Sequence, residues 1–147
     1  MATPVYIENF ESWQEDFSYF DSISVRFSET DAFGHVNNTV AFIYFEQARI
    51  NYFYSLGLMD EWVKGPYMIV TGDLQCDYRR QVAFGDKLQV GVKIASIGRT
   101  SIDVHYLVKN QKNQICMTGR GRIVQVEKKT GASTPWQNEL LGMLEKA

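Results

Sequence analysis

Residues Glu29–Asn38 read ETDAFGHVNN, and the reading of this stretch decides how the rest of the chain is arranged. It follows a strand-like run, Ile23, Val25 and Phe27, and precedes a long aromatic-rich stretch with helical spacing. Within ten residues it brings together a carboxylate, Asp31, a glycine, Gly34, a histidine, His35, and two asparagines, Asn37 and Asn38, able to cap the coming helix. A helix start leaves backbone N–H groups unpaired at the positive end of the helix dipole, so it can polarise a carbonyl or hold an oxyanion. A carboxylate beside such donors points to acyl transfer or hydrolysis.

Working outward, a helix is expected from about Asn38 to Leu56, capped by Asn37 and stopped by Gly57. Its first turns, Val40 to Phe45, are apolar almost all round, so other structure has to wrap it. The second half of the chain supplies that structure. Leu74, Cys76 and Tyr78 alternate with polar residues, as do Leu88, Val90, Val92 and Ile94, then Ile102, Val104, Tyr106 and Val108, and finally the run Gln114 to Val126. On that last run Gly119 and Gly121 share a face with Ile115, Met117 and Ile123, where missing side chains would let a helix approach closely or would equally mark a bulge. Pro135 opens a short C-terminal helix through Leu144. The sum is an α+β domain with one long helix across a curved, five-stranded antiparallel sheet. Residues 1–21 form an N-terminal extension in which Phe10, Trp13, Phe17 and Phe20 fall at helical spacing, and residues 22–147 form the single domain on which it packs.

Composition narrows the function. The chain has 147 residues, 45% of them hydrophobic, enough for one compact domain. A formal charge of −2 without any Lys/Arg block gives no electrostatic case for nucleic acid or an anionic membrane. No apolar run reaches the roughly 18 to 20 residues of a membrane span, and no leader pattern is present, so a cytoplasmic protein is the simplest reading. Cys76 and Cys116 are expected as buried thiols, not as a disulfide, a metal site or a nucleophile.

The order of strand, ETDAFGHVNN loop, TVAFIYFEQAR helix and strands, from about Ser24 to Val126, resembles the hotdog-fold acyl-CoA thioesterases, specifically the 4-hydroxybenzoyl-CoA and long-chain acyl-CoA branch. The most specific parts are Asp31, Gly34 to Asn38, and Tyr44 to Arg49. The resemblance implies that Asp31 acts as nucleophile or general base on a thioester, that the Asn38 backbone N–H polarises its carbonyl, and that no metal or separate cofactor is needed, CoA being part of the substrate. His35 matches the histidine of a related plant acyl-carrier-protein branch, but Phe33 stands where that pattern has asparagine, so a loop-bonding or capping histidine is the equal alternative. Gly34, Val36, Asn37, Ala41 and Phe42 are the residues that would line the acyl and pantetheine path. Ala41 replaces an aromatic residue of relatives. Arg79 and Arg80, with Arg99, Arg120 and Arg122 behind them, are the candidates by type for CoA phosphates. Glu46, which another hotdog branch would use as catalyst, is expected to pair with Arg49, and His105 is read as a polar-face residue without chemistry. The family's architecture implies a homodimer or a dimer-of-dimers tetramer. The rival readings are a noncatalytic acyl-CoA-binding or regulatory hotdog module and an acyl-carrier-protein thioesterase.

Overall fold

The computed structural model describes residues 2–147. A short helix α1 (Phe10–Glu15) leads into β1 (Tyr19–Ser24), a single 3-10 turn (Phe27–Glu29), the long helix α2 (Val40–Ser55), a short helix α3 (Leu58–Lys64), strands β2 (Tyr67–Tyr78), β3 (Lys87–Ile97), β4 (Ser101–Lys109) and β5 (Ile115–Glu127), and a last helix α4 (Asn138–Glu145). The five strands form one antiparallel sheet in the order β1-β3-β4-β5-β2, which leaves β1 and β2 as its edges.

Burial follows the two periodicities. Val40, Ala41, Tyr44, Phe45, Ala48, Arg49, Tyr52 and Phe53 make one stripe along α2, the spacing that keeps one helical face against a sheet. That stripe meets Leu88, Val90 and Val92 of β3, Val104, Tyr106 and Val108 of β4, and Met117 and Ile123 of β5. Phe45 stacks flat on Tyr106, ring centroids 4.4 Å apart and planes within 6°. Gly119 makes this possible: a Cβ there would lie 2.5 Å from the Phe45 ring, so only glycine lets the helix settle. Gly57, at φ 78°, takes the left-handed conformation that ends α2 and turns the chain into α3.

Several expectations are corrected. The helix starts two residues later than expected, at Val40, and beyond the curved sheet that wraps its buried stripe it keeps Ile43 and Tyr54 exposed. Only six residues of the N-terminal extension are helical. The first strand begins at Tyr19, ahead of the 21/22 boundary, and it takes in Phe20, whereas Val25 and Phe27 lie beyond it. Ile115 does not share the face of Met117 and Ile123. A register shift at Lys109 on β4 turns it to the outer face, with Ile7, Trp13, Phe17 and Leu107.

That outer face carries a second, smaller cluster under α1, and a chain of polar contacts runs beside it. The Trp13 indole N–H donates to His105 Nδ1 at 2.9 Å, and His105 Nε2 lies 2.9 Å from Asp103 Oδ2. Asp103 is bound by the Arg120 guanidinium through Nε and Nη2, and Arg120 reaches Asp73 at 3.2 Å. An indole N–H can only donate, so His105 must accept at Nδ1 and carry its proton on Nε2 toward Asp103. Burial, followed by the cations Lys93 and Arg120, holds the His105 pKa below its ordinary value against the pull of Asp103. His105 is therefore a buried link and not a polar-face residue.

Candidate active site

The loop of Glu29–Asn38 is a small closed structure. Asp31 exchanges backbone bonds with its own neighbourhood, its N–H donating to the His35 carbonyl at 2.7 Å and its carbonyl accepting from Gly34 at 3.1 Å. Gly34 sits at φ 81°, the conformation this tight return requires. Inside the turn the Asp31 carboxylate uses one oxygen, Oδ1, to accept the N–H groups of Phe33 at 2.8 Å and His35 at 3.3 Å. Asp31 is thus exposed yet held, with Oδ2 left outside the turn.

The loop is anchored at both ends. His35 pairs with Ala83, and the Val36 N–H donates to the Val82 carbonyl at 2.7 Å, which docks the loop on the segment after β2. At its start, Glu29 accepts the Arg26 N–H at 2.8 Å and the Tyr44 hydroxyl at 3.0 Å, while its own carbonyl accepts from Asn37. Burial alone would raise the Glu29 pKa, but the Arg26 and Tyr44 hydrogen bonds and the Arg26 charge outweigh it and keep the carboxyl below its usual range. Tyr44 responds in the opposite sense, pushed up by burial and by Glu29.

At the helix start Asn37 is not the expected cap: Thr39 holds the N-cap position of α2 without a side-chain bond, and Asn37 instead closes the turn before it. Its side-chain oxygen accepts from the Thr39 N–H at 2.9 Å and the Thr39 hydroxyl at 2.8 Å, and its carbonyl accepts from the Val40 N–H at 3.0 Å. Asn38 is exposed and its N–H has no acceptor among the described residues. Its carbonyl accepts the Tyr78 hydroxyl, which ties the helix start to the end of the edge strand β2. Burial and then Cys76 push the Tyr78 pKa up to about 12, so it remains a donor at neutral pH.

Beside this helix start lies a cleft of about 200 Å³ lined by His35, Val36, Tyr78 and Arg79 to Val82. It continues into a wider basin of about 550 Å³, in which His35, Arg79, Arg80 and Gln81 recur and face Lys112 and Gln114. Asp31, Gly34, His35, Val36, Asn37 and Asn38 therefore cluster as one loop, with Arg79 and Arg80 on the next segment. Ala41 is fully buried in the core and Phe42 half-buried, edge-on to Phe45. Arg120 is committed to Asp103 and Asp73 on the outer face. Arg99 lies in the turn between β3 and β4, where its carbonyl accepts from Trp136. Glu46 is exposed and Arg49 turns inward to the Tyr106 hydroxyl at 3.0 Å, so the expected pair of Glu46 with Arg49 does not form. Glu29, Tyr44 and Tyr78 escape sequence reading because their partners lie 15 and 40 positions away.

Comparison with known proteins places these features in a family. Residues 25–144 match the model of the thioesterase-like superfamily. The chain is 44% identical over 140 residues to the YsmA protein of Bacillus subtilis (strain 168), covering 95% of this chain and 94% of that one. Among solved structures it is similar to a thioesterase from Thermus thermophilus, complexed with coenzyme A and Zn, at 31% identity and TM-score 0.77, over 90% of this chain and 95% of that one. The DHNA-CoA thioesterase of Staphylococcus aureus shares the fold at TM-score 0.80 and 21% identity, over 86% of this chain and 88% of that one. With a helix-on-sheet architecture that is the hotdog fold and a match spanning most of its length, the chain belongs to the thioesterase-like superfamily.

Proposed function

We propose that the protein hydrolyses acyl-CoA thioesters to the free carboxylic acid and CoA, with Asp31 as the group that activates water or attacks directly. The observation that carries this reading is the division of labour within one loop. One Asp31 oxygen is fixed by two backbone N–H groups while the other has no partner among the described residues, and the same loop ends at an Asn38 N–H with no acceptor among them, at the start of a sixteen-residue helix. In the general-base form, Asp31 takes a proton from water as the water oxygen bonds to the thioester carbon. The carbonyl oxygen becomes an oxyanion held by the Asn38 N–H. Collapse breaks the C–S bond, and the proton passes from Asp31 to the departing thiolate. An oxyanion donor of this kind is worth about 100-fold to 1000-fold in rate, and a thioester is electrophilic enough for one carboxylate and such a donor to serve. Tyr78, bonded to the Asn38 carbonyl, positions that donor. The narrow cleft suits a pantetheine arm, and the relative crystallised with coenzyme A supports a CoA-type ligand.

The protein is further proposed to work as a homodimer or a dimer of such dimers. β2 is an edge strand with exposed Met68, Val70 and Tyr78, and the exposed side of α2 carries Ile43. Pairing along β2 would cover an edge that is otherwise open to aggregation. Light scattering at low micromolar concentration tests this, and a fully active monomer contradicts it.

One observation favours a second reading. The bonds from Phe33 and His35 to Asp31 Oδ1 are those of an aspartate that shapes its own turn, which suits a noncatalytic acyl-CoA-binding module. A thiol-release assay over aromatic, short-chain and long-chain CoA esters, and the same acyl groups on acyl carrier protein, separates the readings. The proposal expects turnover on at least one CoA ester. Binding without turnover supports the module, and turnover confined to the carrier-protein esters supports the carrier-protein thioesterase.

A further inference from the structure

One residue lining the wide basin, Arg79, is held by a part of the chain remote from the loop. The Arg79 guanidinium carbon lies 4.8 Å from the centre of the Phe10 ring, and Arg79 Nη1 lies 3.5 Å from the Ala2 carbonyl. The backbone beneath it is fixed, because the N–H groups of Arg79 and Arg80 both donate to the Cys116 carbonyl, at 2.8 and 3.1 Å. Phe10 is fixed in turn by α1: its ring lies 5.6 Å from that of Trp13, which His105 holds by its indole N–H. Across the basin, the turn from Asn110 to Gln114 is braced by the Asn110 side-chain oxygen, which accepts the N–H groups of Lys112 and Gln114 at 3.0 Å each. The acid that faces the basin, Asp86, is already engaged by the Ala83 N–H at 2.9 Å and the Gln111 amide at 3.0 Å. Arg79, Arg80 and Lys112 thus meet one pocket whose acid is occupied.

We propose that Phe10 is a positioning residue, holding the Arg79 guanidinium in the basin wall for the phosphate groups of a CoA thioester's nucleotide end. The inference rests on the reading of the chain as acting on CoA thioesters. An arginine presents a planar fork of donors that matches phosphate oxygens, and an aromatic face beneath the guanidinium restrains it without competing for those donors. The narrow cleft, lined by the Tyr78 that bonds the Asn38 carbonyl, shares His35, Arg79, Arg80 and Gln81 with this basin, which matches the order in which a thioester, a pantetheine arm and phosphates follow one another in CoA. The N-terminal segment then has a role in substrate choice: it favours nucleotide-bearing thioesters over bare pantetheine ones.

The test titrates CoA, and pantetheine as the phosphate-free ligand, into the wild-type protein and into Phe10→Leu, Arg79→Gln and the double variant. Leucine keeps an apolar side chain on α1, so the segment stays docked, and Phe10→Tyr, which retains an aromatic face, should bind CoA like the wild type. Loss of Arg79 should weaken CoA roughly tenfold, and Phe10→Leu about two- to fivefold. The double variant should be no weaker than Arg79→Gln alone, because Phe10 acts through Arg79. Pantetheine should bind all of them alike. The proposal is overturned if Phe10→Leu binds CoA as tightly as the wild type, if the two losses multiply, if pantetheine weakens in parallel, or if the wild type does not prefer CoA to pantetheine. Turnover measured on the same proteins separates the two proposals: this pattern of CoA binding without hydrolysis leaves the phosphate site standing and contradicts only the hydrolase.

Discussion

The two faces of the sheet are covered by helices of opposite character. On one, α2 lays down a sixteen-residue helix whose buried stripe is mainly apolar, with Arg49 bonded to Tyr106 and the Tyr44 hydroxyl to Glu29. On the other, α1 has six residues and one buried side chain, Trp13, and a line of directed contacts runs from that residue through His105, Asp103 and Arg120 to Asp73. Apolar burial is non-directional and scales with area, whereas a buried polar chain fails when any member loses its partner. The first face therefore holds the fold together. The second holds one segment in one position, the position in which Phe10 underlies Arg79.

The largest effect should come from the α2 face. Phe45→Ala deletes a fully buried ring stacked on Tyr106 and facing Gly119, so urea unfolding should register a loss of about 3–5 kcal/mol. A loss below about 1 kcal/mol would erase the distinction between the faces. On the other side Trp13→Phe keeps the aromatic bulk but leaves the buried Nδ1 of His105 without its donor, a cost of about 1–3 kcal/mol. If Trp13→Leu and Trp13→Phe destabilise equally relative to their volumes, the indole N–H is not what holds α1.

The smallest effect is the one with a pH signature. Because the folded protein lowers the His105 pKa, the unfolded chain takes up protons first as the pH falls. Stability from this group is complete above its ordinary value of about 6.5 and is lost as pH drops below that value toward the folded one. Protonation also sets two N–H donors, the indole and Nδ1, against each other. The groups around the ring are Trp13, Tyr6, Asp103, Lys93 and Arg120. The melting temperature should fall between pH 7.5 and 5.5, and His105→Gln should flatten that dependence. Glu29, whose pKa is held down, contributes fully above the ordinary carboxylate value and loses that contribution as the pH falls below it toward the lowered one.

The same contrast explains what is readable from sequence. The α2 stripe and the alternation of Leu88 to Ile94 and Ile102 to Val108 are local periodicities that burial on one face imposes directly, and Asp31 to Asn38 stands out by residue type and spacing. The first half of β2, Tyr67 to Gly72, escapes such a reading because Tyr67 to Val70 are apolar in succession and show no alternation, and α3 escapes it because Gly57 starts it without a capping side chain. The spacing of Phe20 from Phe17 suits a helix. In the structure Phe20 lies on β1, with its ring over Gly91. The contacts that complete the site, Tyr44 with Glu29, Tyr78 with Asn38 and Phe10 with Arg79, join residues that only the folded sheet brings together, and no periodicity records them.

The central claim is that Asp31 does chemistry and not only turn formation, and steady-state hydrolysis of the best CoA ester by Asp31→Asn tests it most directly. Asparagine keeps a side-chain oxygen to accept from Phe33 and His35 and so preserves the turn, while removing the charge that would activate water or attack. The account expects kcat to fall at least about 100-fold to 10,000-fold with KM little changed and the melting temperature unaltered, and Glu46→Gln to leave turnover near wild type. Near wild-type kcat in Asp31→Asn, above all with activity abolished in Glu46→Gln, would contradict it.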